Sequence, residues 1–356
     1  MAQDHMSTVY AVIMAGGRGE RFWPLSTEEK PKPFVSLVGS TTLLQGTVER
    51  LRSLVPAERI LIAIGSKHRE IASRQVPEIP PGNFILEPVG RDTAACLGLS
   101  ALHLAKLDPE AIMLALPADH YVADPEKFCQ TVRAGLESLA GATGIVFGIR
   151  PDRAETGYGY VRAEKPALRT AAWPVVRFVE KPDAATAAKY VRSGTYFWNS
   201  GMFLWSNRTL LGLFQRYMPG LSCALNEILP LLGRDDARDE MLSIFSSLPR
   251  ISVDYGILEK ASGLRLVPAG FDWDDIGNWD SLARAVPADP SGNVSRGSAV
   301  SVQSRNCVLY SEGGTVAVFG VSDLVVVRAR GRVLVCSRER AADLKTLLSS
   351  LPEELK

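Results

Sequence analysis

Histidine is scarce in this chain of 356 residues: there are four, and with His5 in the N-terminal extension set aside only His68, His103 and His120 remain. Their wide spacing argues against a histidine metal cluster. The five cysteines, Cys96, Cys129, Cys223, Cys307 and Cys336, are an odd number with no short pairing. This argues against a disulfide framework or a thiolate zinc site, so the thiols are expected to be reduced and the protein cytoplasmic. No apolar run approaches the ~18 residues of a membrane span, and no basic stretch followed by an apolar one opens the chain, so neither a span nor a secretory leader is expected. Charge of one sign is also missing, because 40 Lys and Arg against 39 Asp and Glu leave +1. There is no global field for a nucleic-acid polymer or an anionic membrane, and any anion must be held locally.

What is present is the composition of a folded globular protein, 46% hydrophobic and 22% charged. Its length suits about two units at roughly 150 residues each. The first six residues (MAQDHM) end in a second start methionine and read as a leftover extension. Short β-branched runs then alternate with helical patterns: strands at 9–15, 60–64, 84–86, 111–116 and 145–149, and helices at 43–55, 66–76, 93–107 and 126–139. This is the signature of βαβ units in a mainly parallel, doubly wound sheet. From Pro151 the texture changes, with a hairpin expected at 157–160, a strand at 175–179 and helices at 184–192, 207–216 and 221–232. A breaker cluster at 287–292 (PADPSG) reads as a linker. Short Val-rich strands and a final helix over 340–351 follow. The expected division is therefore 7–287 for the α/β unit and 288–356 for a small β-rich unit.

The strand over 9–15 runs into AGGRGERFWPLSTEEKPKPF, residues 15–34. Gly16, Gly17 and Gly19 allow backbone amides close to an anion, and Arg18, Arg21, Lys30 and Lys32 add charge to the same loop. A phosphate site is the direct reading, with a glycine turn carrying solvated charges as the alternative. The dinucleotide fingerprint fails because its third glycine position is Phe22, and the Walker pattern fails for want of Gly-Lys-Ser/Thr.

This loop resembles the signature of sugar-nucleotide pyrophosphorylases, and FWPLS with PKPF looks most like the mannose-1-phosphate guanylyltransferase group. EPVGRDTAA (87–95), LPADHYV (116–122), GIRPDRAETGYGYV (148–161), FVEKP (178–182), WNSGMFL (198–204), SVDYGILEK (252–260) and FDWDDIGNW (271–279) follow in the family's order. The β-rich tail resembles the group's C-terminal domain. The resemblance implies a Rossmann-like α/β fold with a mixed, mainly parallel sheet. It implies transfer of a nucleotidyl group from GTP to mannose 1-phosphate, giving GDP-mannose and diphosphate with Mg2+. A sugar phosphate is already mostly ionised at neutral pH, so no general base is needed, and the scarcity of histidine suits that chemistry. Such a site works by gathering anions and stabilising charge on the leaving group.

By resemblance, Arg21 and Lys32 serve the triphosphate with Arg18, Gly16, Gly17 and Gly19, while Glu87, Arg91, Asp92 and Asp119 complete the nucleotide site. Lys181 engages the sugar phosphate, and Gly157, Glu180, Asn199 and Gly201 line the hexose site. Asp119 and Asp275 are the metal ligands, with Asp274 adjacent to the second. Two carboxylates plus phosphate oxygens suit Mg2+, which keeps water ligands. Tyr158, Tyr160 and the tryptophans read first as packing. The chain departs from the family in Glu20 for Thr, Asp92 for Asn and Pro33 for Gln, which bears on base preference and turnover. A fused cupin, found in some relatives, has no counterpart after Leu351, so a single activity is expected. The β-rich tail offers strand edges for a homodimer. Two rival readings stay open: a pyrophosphorylase for another sugar or base, and a non-catalytic nucleotide-sugar sensor. The Asp-x-Asp motif of a glycosyltransferase is absent, since His120 and Tyr121 follow Asp119.

Overall fold

The computed structural model describes residues 8–17, 19–167 and 170–355. Arg18 and the six-residue extension lie outside the described residues. Among the described residues eleven strands precede the breaker cluster: β1 Val9–Met14, β2 Ile60–Gly65, β3 Phe84–Glu87, β4 Ile112–Pro117, β5 Tyr121–Val122, β6 Gly144–Ile149, β7 Tyr160–Ala163, β8 Trp173–Val179, β9 Tyr196–Ser206, β10 Leu264–Pro268 and β11 Trp273–Asp274. Nine form one sheet in the order β3-β2-β1-β4-β9-β6-β10-β8-β7, and β11 pairs with β5 in a separate two-stranded sheet. The neighbours β3, β2, β1 and β4 are mutually parallel, whereas β9 runs antiparallel to both β4 and β6. The fold is thus α/β with a mixed sheet. Central strands such as β2, ILIAIG, read as unbroken apolar runs because side chains are buried on both faces.

One core lies on each side of this sheet. The first packs the helices Leu43–Leu51 and Pro125–Ser138. The second packs Asp92–Leu107, Asn207–Tyr217 and Pro219–Ile228. Leu43–Leu51 begins with a capping box in which Thr42 and Gln45 satisfy each other's backbone amides.

After the linker come β12 Val294–Val302, β13 Val308–Phe319, β14 Leu324–Ala329 and β15 Arg332–Ser337, in sheet order 12-13-14-15. The first three are parallel and the last antiparallel. This unit is not a detached appendix. A third core joins Phe22, Trp23, Leu25, Val35 and Leu37 of the glycine-rich loop to Val308, Tyr310, Val325, Leu334 and Leu344. Trp23 donates its indole N–H to the Leu355 carbonyl (2.9 Å) while accepting at its own carbonyl from Trp279 (3.0 Å).

Three expectations need correction. Residues 157–159 form a loop, and the hairpin is made by β7 with β8 further along, where Tyr160 pairs with Val179 and Val161 with Phe178. The helix expected to run to 232 ends at Ile228 and tightens into a 3-10 turn, Leu229–Leu231, because Pro230 has no N–H to continue the ladder. The final helix divides into a 3-10 segment, Arg338–Asp343, and an α-helix, Leu344–Ser350. Ala341 and Leu344, three apart and both buried, match the 3-10 repeat. A helix at Arg238–Ser247 and a π-helix at Asp254–Leu258 have no counterpart in the sequence pattern.

Candidate active site

Strands β1 and β4 are parallel neighbours, and the chain leaves both at the carboxyl edge of the sheet, where doubly wound folds bind ligands. From β1 it enters the glycine loop. Gly19 has φ +62°, and a Cβ there would stand 2.6 Å from the Lys32 backbone nitrogen. Only glycine tolerates that approach, and it fixes where the buried Lys32 begins. Lys32 Nζ then donates to Asp119 Oδ2 (2.9 Å) and to the Asp275 carbonyl (2.5 Å).

Asp119 follows β4 and is held from the helix Leu43–Leu51. Thr47 Oγ1 donates to the Ala118 carbonyl (3.2 Å), and Arg50 donates to the His120 carbonyl (3.3 Å) and to Thr47 Oγ1 (2.8 Å). Burial acts to raise the Asp119 pKa, but Lys32 and then His120 outweigh it and hold the carboxyl below its ordinary range. Burial pushes the His120 pKa below its ordinary value despite Asp119; Nδ1 accepts from the Trp273 indole (3.2 Å).

The two adjacent aspartates have different surroundings. Asp274 is buried, receives Arg284 Nε (2.5 Å) and Nη2 (3.0 Å), and accepts the Ile276 N–H (2.7 Å). Asp275 accepts from the Tyr158 hydroxyl at Oδ1 (2.6 Å) and lines a cleft of about 360 Å³ together with Arg21, Lys32, Asp119, Glu20 and Lys345. Tyr158 thus joins packing to a polar contact: it stacks edge-on against Trp198 and Trp273, while burial and then Asp275 raise its pKa.

A second cluster adjoins this cleft. Glu180 Oε1 lies 2.9 Å from Lys181 Nζ. Asn199 donates to Asp254 Oδ1 (2.7 Å) and accepts the Gly201 N–H (3.1 Å). A Cβ at Gly159 would come within 2.4 Å of Glu180 Oε2, and one at Gly201 would meet His120 Cε1 at 3.6 Å, so Gly201 stands between the clusters. Burial, then Glu180, raises Asp254 to about 6. Gly157 is exposed and donates its N–H to Glu155 Oε1 (3.1 Å).

The remaining residues lie apart from both clusters or carry other contacts. Glu87 ends β3, where burial lifts its carboxyl to about 7 beside the Cys96 thiol. Arg91 is turned toward the helix Arg238–Ser247, donating to the Phe245 carbonyl (3.2 Å) and to that of Ser246. Asp92 takes a left-handed backbone, φ 68°, and its Oδ1 accepts the Thr93 N–H (2.7 Å). Sequence reasoning had not singled out Asp254, Thr47, Arg50 or Lys345. Only Asp254 had a signal, its place in SVDYGILEK. Among the described residues no group of three or more His, Cys, Asp or Glu is disposed to hold an ion by itself, and no helix is long and apolar enough to cross a membrane.

Cations and carboxylates converging at the carboxyl edge of a mixed α/β sheet are the equipment of an enzyme that transfers phosphorylated groups. Residues 10–292 match the family described as Nucleotidyl transferase, and the chain belongs to that family. Residues 297–351 match the MannoseP isomerase/GMP-like beta-helix domain. Within the family, the chain is similar to the mannose-1-phosphate guanylyltransferases of Salmonella montevideo, 38% identical over 96% of this chain and 74% of the relative, and of Escherichia coli K12, 37% identical over 97% and 74%. A crystal structure from Thermus thermophilus, described as a mannose-1-phosphate geranyltransferase, has a TM-score of 0.86 at 39% identity and covers 96% of this chain and 98% of that one.

Proposed function

We propose that the chain makes GDP-mannose and diphosphate from GTP and mannose 1-phosphate. The observation that carries the reading is Lys32 Nζ, lodged between the Asp119 carboxylate and the Asp275 backbone at the sheet's carboxyl edge, beside a polar cluster suited to a hexose. A sugar-phosphate oxygen forms the new bond to the α-phosphorus, the bond from that phosphorus to the β-phosphate bridge breaks, and diphosphate leaves with its electron pair. No proton moves, because the nucleophile is already ionised.

Each residue then has a task. Arg21 and Lys32 neutralise the β- and γ-phosphates, and the loop amides around Gly16, Gly17 and Gly19 approach the same anion, with Arg18 as a further cation. Lys181 draws in the sugar phosphate. Burial works against the charge of Lys181, but Glu180 outweighs it and holds the pKa above its ordinary value. Glu180, Asn199, Gly201 and Gly157 meet the hexose hydroxyls with carboxylate, amide and backbone groups. Glu87, Arg91 and Asp92 border the base.

The donor set fits Mg2+. Asp119 and Asp275 offer hard oxygen atoms on one cleft, and two protein ligands are the usual complement when phosphates and water supply the rest. Bound there, the ion supplies Lewis-acid charge for the phosphates. The Asp274 carboxylate is already committed to Arg284, which favours Asp275 as the second ligand. The free cysteines accord with action in the cytoplasm. The exposed Phe319 and Val333 leave surface for a homodimer.

The test is diphosphate release over four nucleoside triphosphates and several sugar 1-phosphates, with and without Mg2+. GTP with mannose 1-phosphate and Mg2+ should give the highest rate. A higher rate for another pair would transfer the reading to that substrate, and silence throughout would leave a nucleotide-sugar sensor.

A further inference from the structure

The cleft that holds Arg21, Lys32, Asp119 and Asp275 has one wall from outside the nucleotidyl transferase segment. Lys345 belongs to the helix Leu344–Ser350, within the matched β-helix domain, yet it lines this cleft. Its Nζ lies 3.5 Å from Glu20 Oε2, on the turn that carries Arg21. The neighbouring Leu344 is buried in the same core as Phe22, which packs the start of this helix against the loop.

Three lysines here each face an acid: Lys32 with Asp119 at 2.9 Å, Lys181 with Glu180 at 2.9 Å and Lys345 with Glu20 at 3.5 Å. The Lys345 pair is the longest, and its lysine side chain is 66% exposed. Exposed pairs of this kind are held weakly, and a polyanion entering the cleft competes with one carboxylate for the ammonium on favourable terms.

We propose that Lys345 is a further binding residue for the β- and γ-phosphates, delivered by the C-terminal unit, and that Glu20 holds it in reserve until the nucleotide arrives. The inference rests on reading this cleft as the triphosphate site. It also gives a role to Glu20, an acid where the resembling family commonly has Thr. Without an acid there, a lysine across the cleft would retain nucleotide and diphosphate alike.

The test uses the full chain with Lys345→Ala, Lys345→Arg, Glu20→Gln and the Glu20→Gln/Lys345→Ala double variant. Steady-state kinetics with GTP and mannose 1-phosphate are paired with calorimetric binding of inorganic tripolyphosphate. Losing one unit charge about 4 Å from a phosphate in a hydrated cleft predicts that Lys345→Ala raises both the KM for GTP and the Kd for tripolyphosphate about five- to tenfold. The KM for mannose 1-phosphate should stay within about twofold, the gap should shrink in salt, and Lys345→Arg should restore most of the affinity. Glu20→Gln should tighten tripolyphosphate about twofold when Lys345 is present and clearly less when it is absent. Unchanged constants in Lys345→Ala, an equal rise for both substrates, or a Glu20→Gln effect independent of Lys345 would each overturn the proposal. A wild-type chain that binds tripolyphosphate through Lys345 but releases no diphosphate from the substrate pair would sink the guanylyltransferase reading and leave this one standing.

Discussion

Gly159→Ala adds one methyl group at a position remote from the phosphate loop, and its effect can be worked from contacts. The new Cβ would lie 2.4 Å from Glu180 Oε2, 3.2 Å from Phe178 Cζ and 3.4 Å from Asn199 Cβ. An ordinary carbon–oxygen contact is about 3.3 Å, so the carboxylate must retreat by roughly 1 Å. The Glu180 side chain is only 9% exposed and is paired with Lys181, so retreat displaces the ion pair as well. A misplacement of about 1 Å at a substrate-positioning group costs on the order of 10²-fold in rate, and overpacking costs about 1–3 kcal/mol of stability. The expected result is a loss of about 10²-fold in kcat/KM for mannose 1-phosphate, with KM for GTP changed less than about threefold and Tm lowered by about 2–4 °C per kcal/mol. Steady-state kinetics on both substrates and a thermal melt suffice. A folded variant with normal mannose 1-phosphate kinetics would refute the placing of Glu180 against the sugar, and equal losses for both substrates would refute its selectivity.

Asp119→Asn and Asp275→Asn should each lower turnover by about 10²-fold or more at saturating Mg2+ with the circular dichroism spectrum unchanged; near-normal turnover would remove that residue from the metal site. Lys181→Ala should raise the KM for mannose 1-phosphate about tenfold while leaving that for GTP nearly constant, and an equal rise for both would contradict its assignment. Asp254 has a folded pKa of about 6, above its ordinary 3.8, so the folded state holds the proton more tightly and stability attached to this group is lost as pH rises from about 4 to about 6. Asp254→Asn, which keeps an acceptor for Asn199, should therefore gain up to about 3 kcal/mol relative to wild type above pH 7 and much less below pH 4; denaturant melts showing a pH-independent difference would count against the buried charge.

Strands β1, β2, β3, β4, β6 and β8 and the α/β class were legible because unbroken apolar runs and helical periodicity are local signals, whereas β9 and β10, inside the sheet, were not. Choosing between Asp274 and Asp275 was not local: Arg284, ten residues on, engages one carboxylate and leaves the other facing the cleft. Lys345 was similarly hidden, since nothing in an exposed lysine of a terminal helix says which cleft it borders. The loop residues Phe22, Trp23 and Leu25 read as apolar, but periodicity does not name the surface that covers them. Asp254 sat inside a recognised segment, and it gained significance only when the π-helix brought its carboxylate to Asn199.

The core shared by the glycine loop and strands β13, β14 and β15 also bears on cooperativity. Phe34 packs in the first core, beside the nine-stranded sheet, but the amides around Phe22, Trp23, Leu25, Val35 and Leu37 have their apolar backing chiefly in β13, β14, β15 and the terminal helix. In native-state hydrogen exchange they should therefore open with the C-terminal strands as one foldon, at a free energy separate from that of β1, β2 and β4. Mild denaturant would then silence the enzyme at a concentration where most of its catalytic domain is still folded.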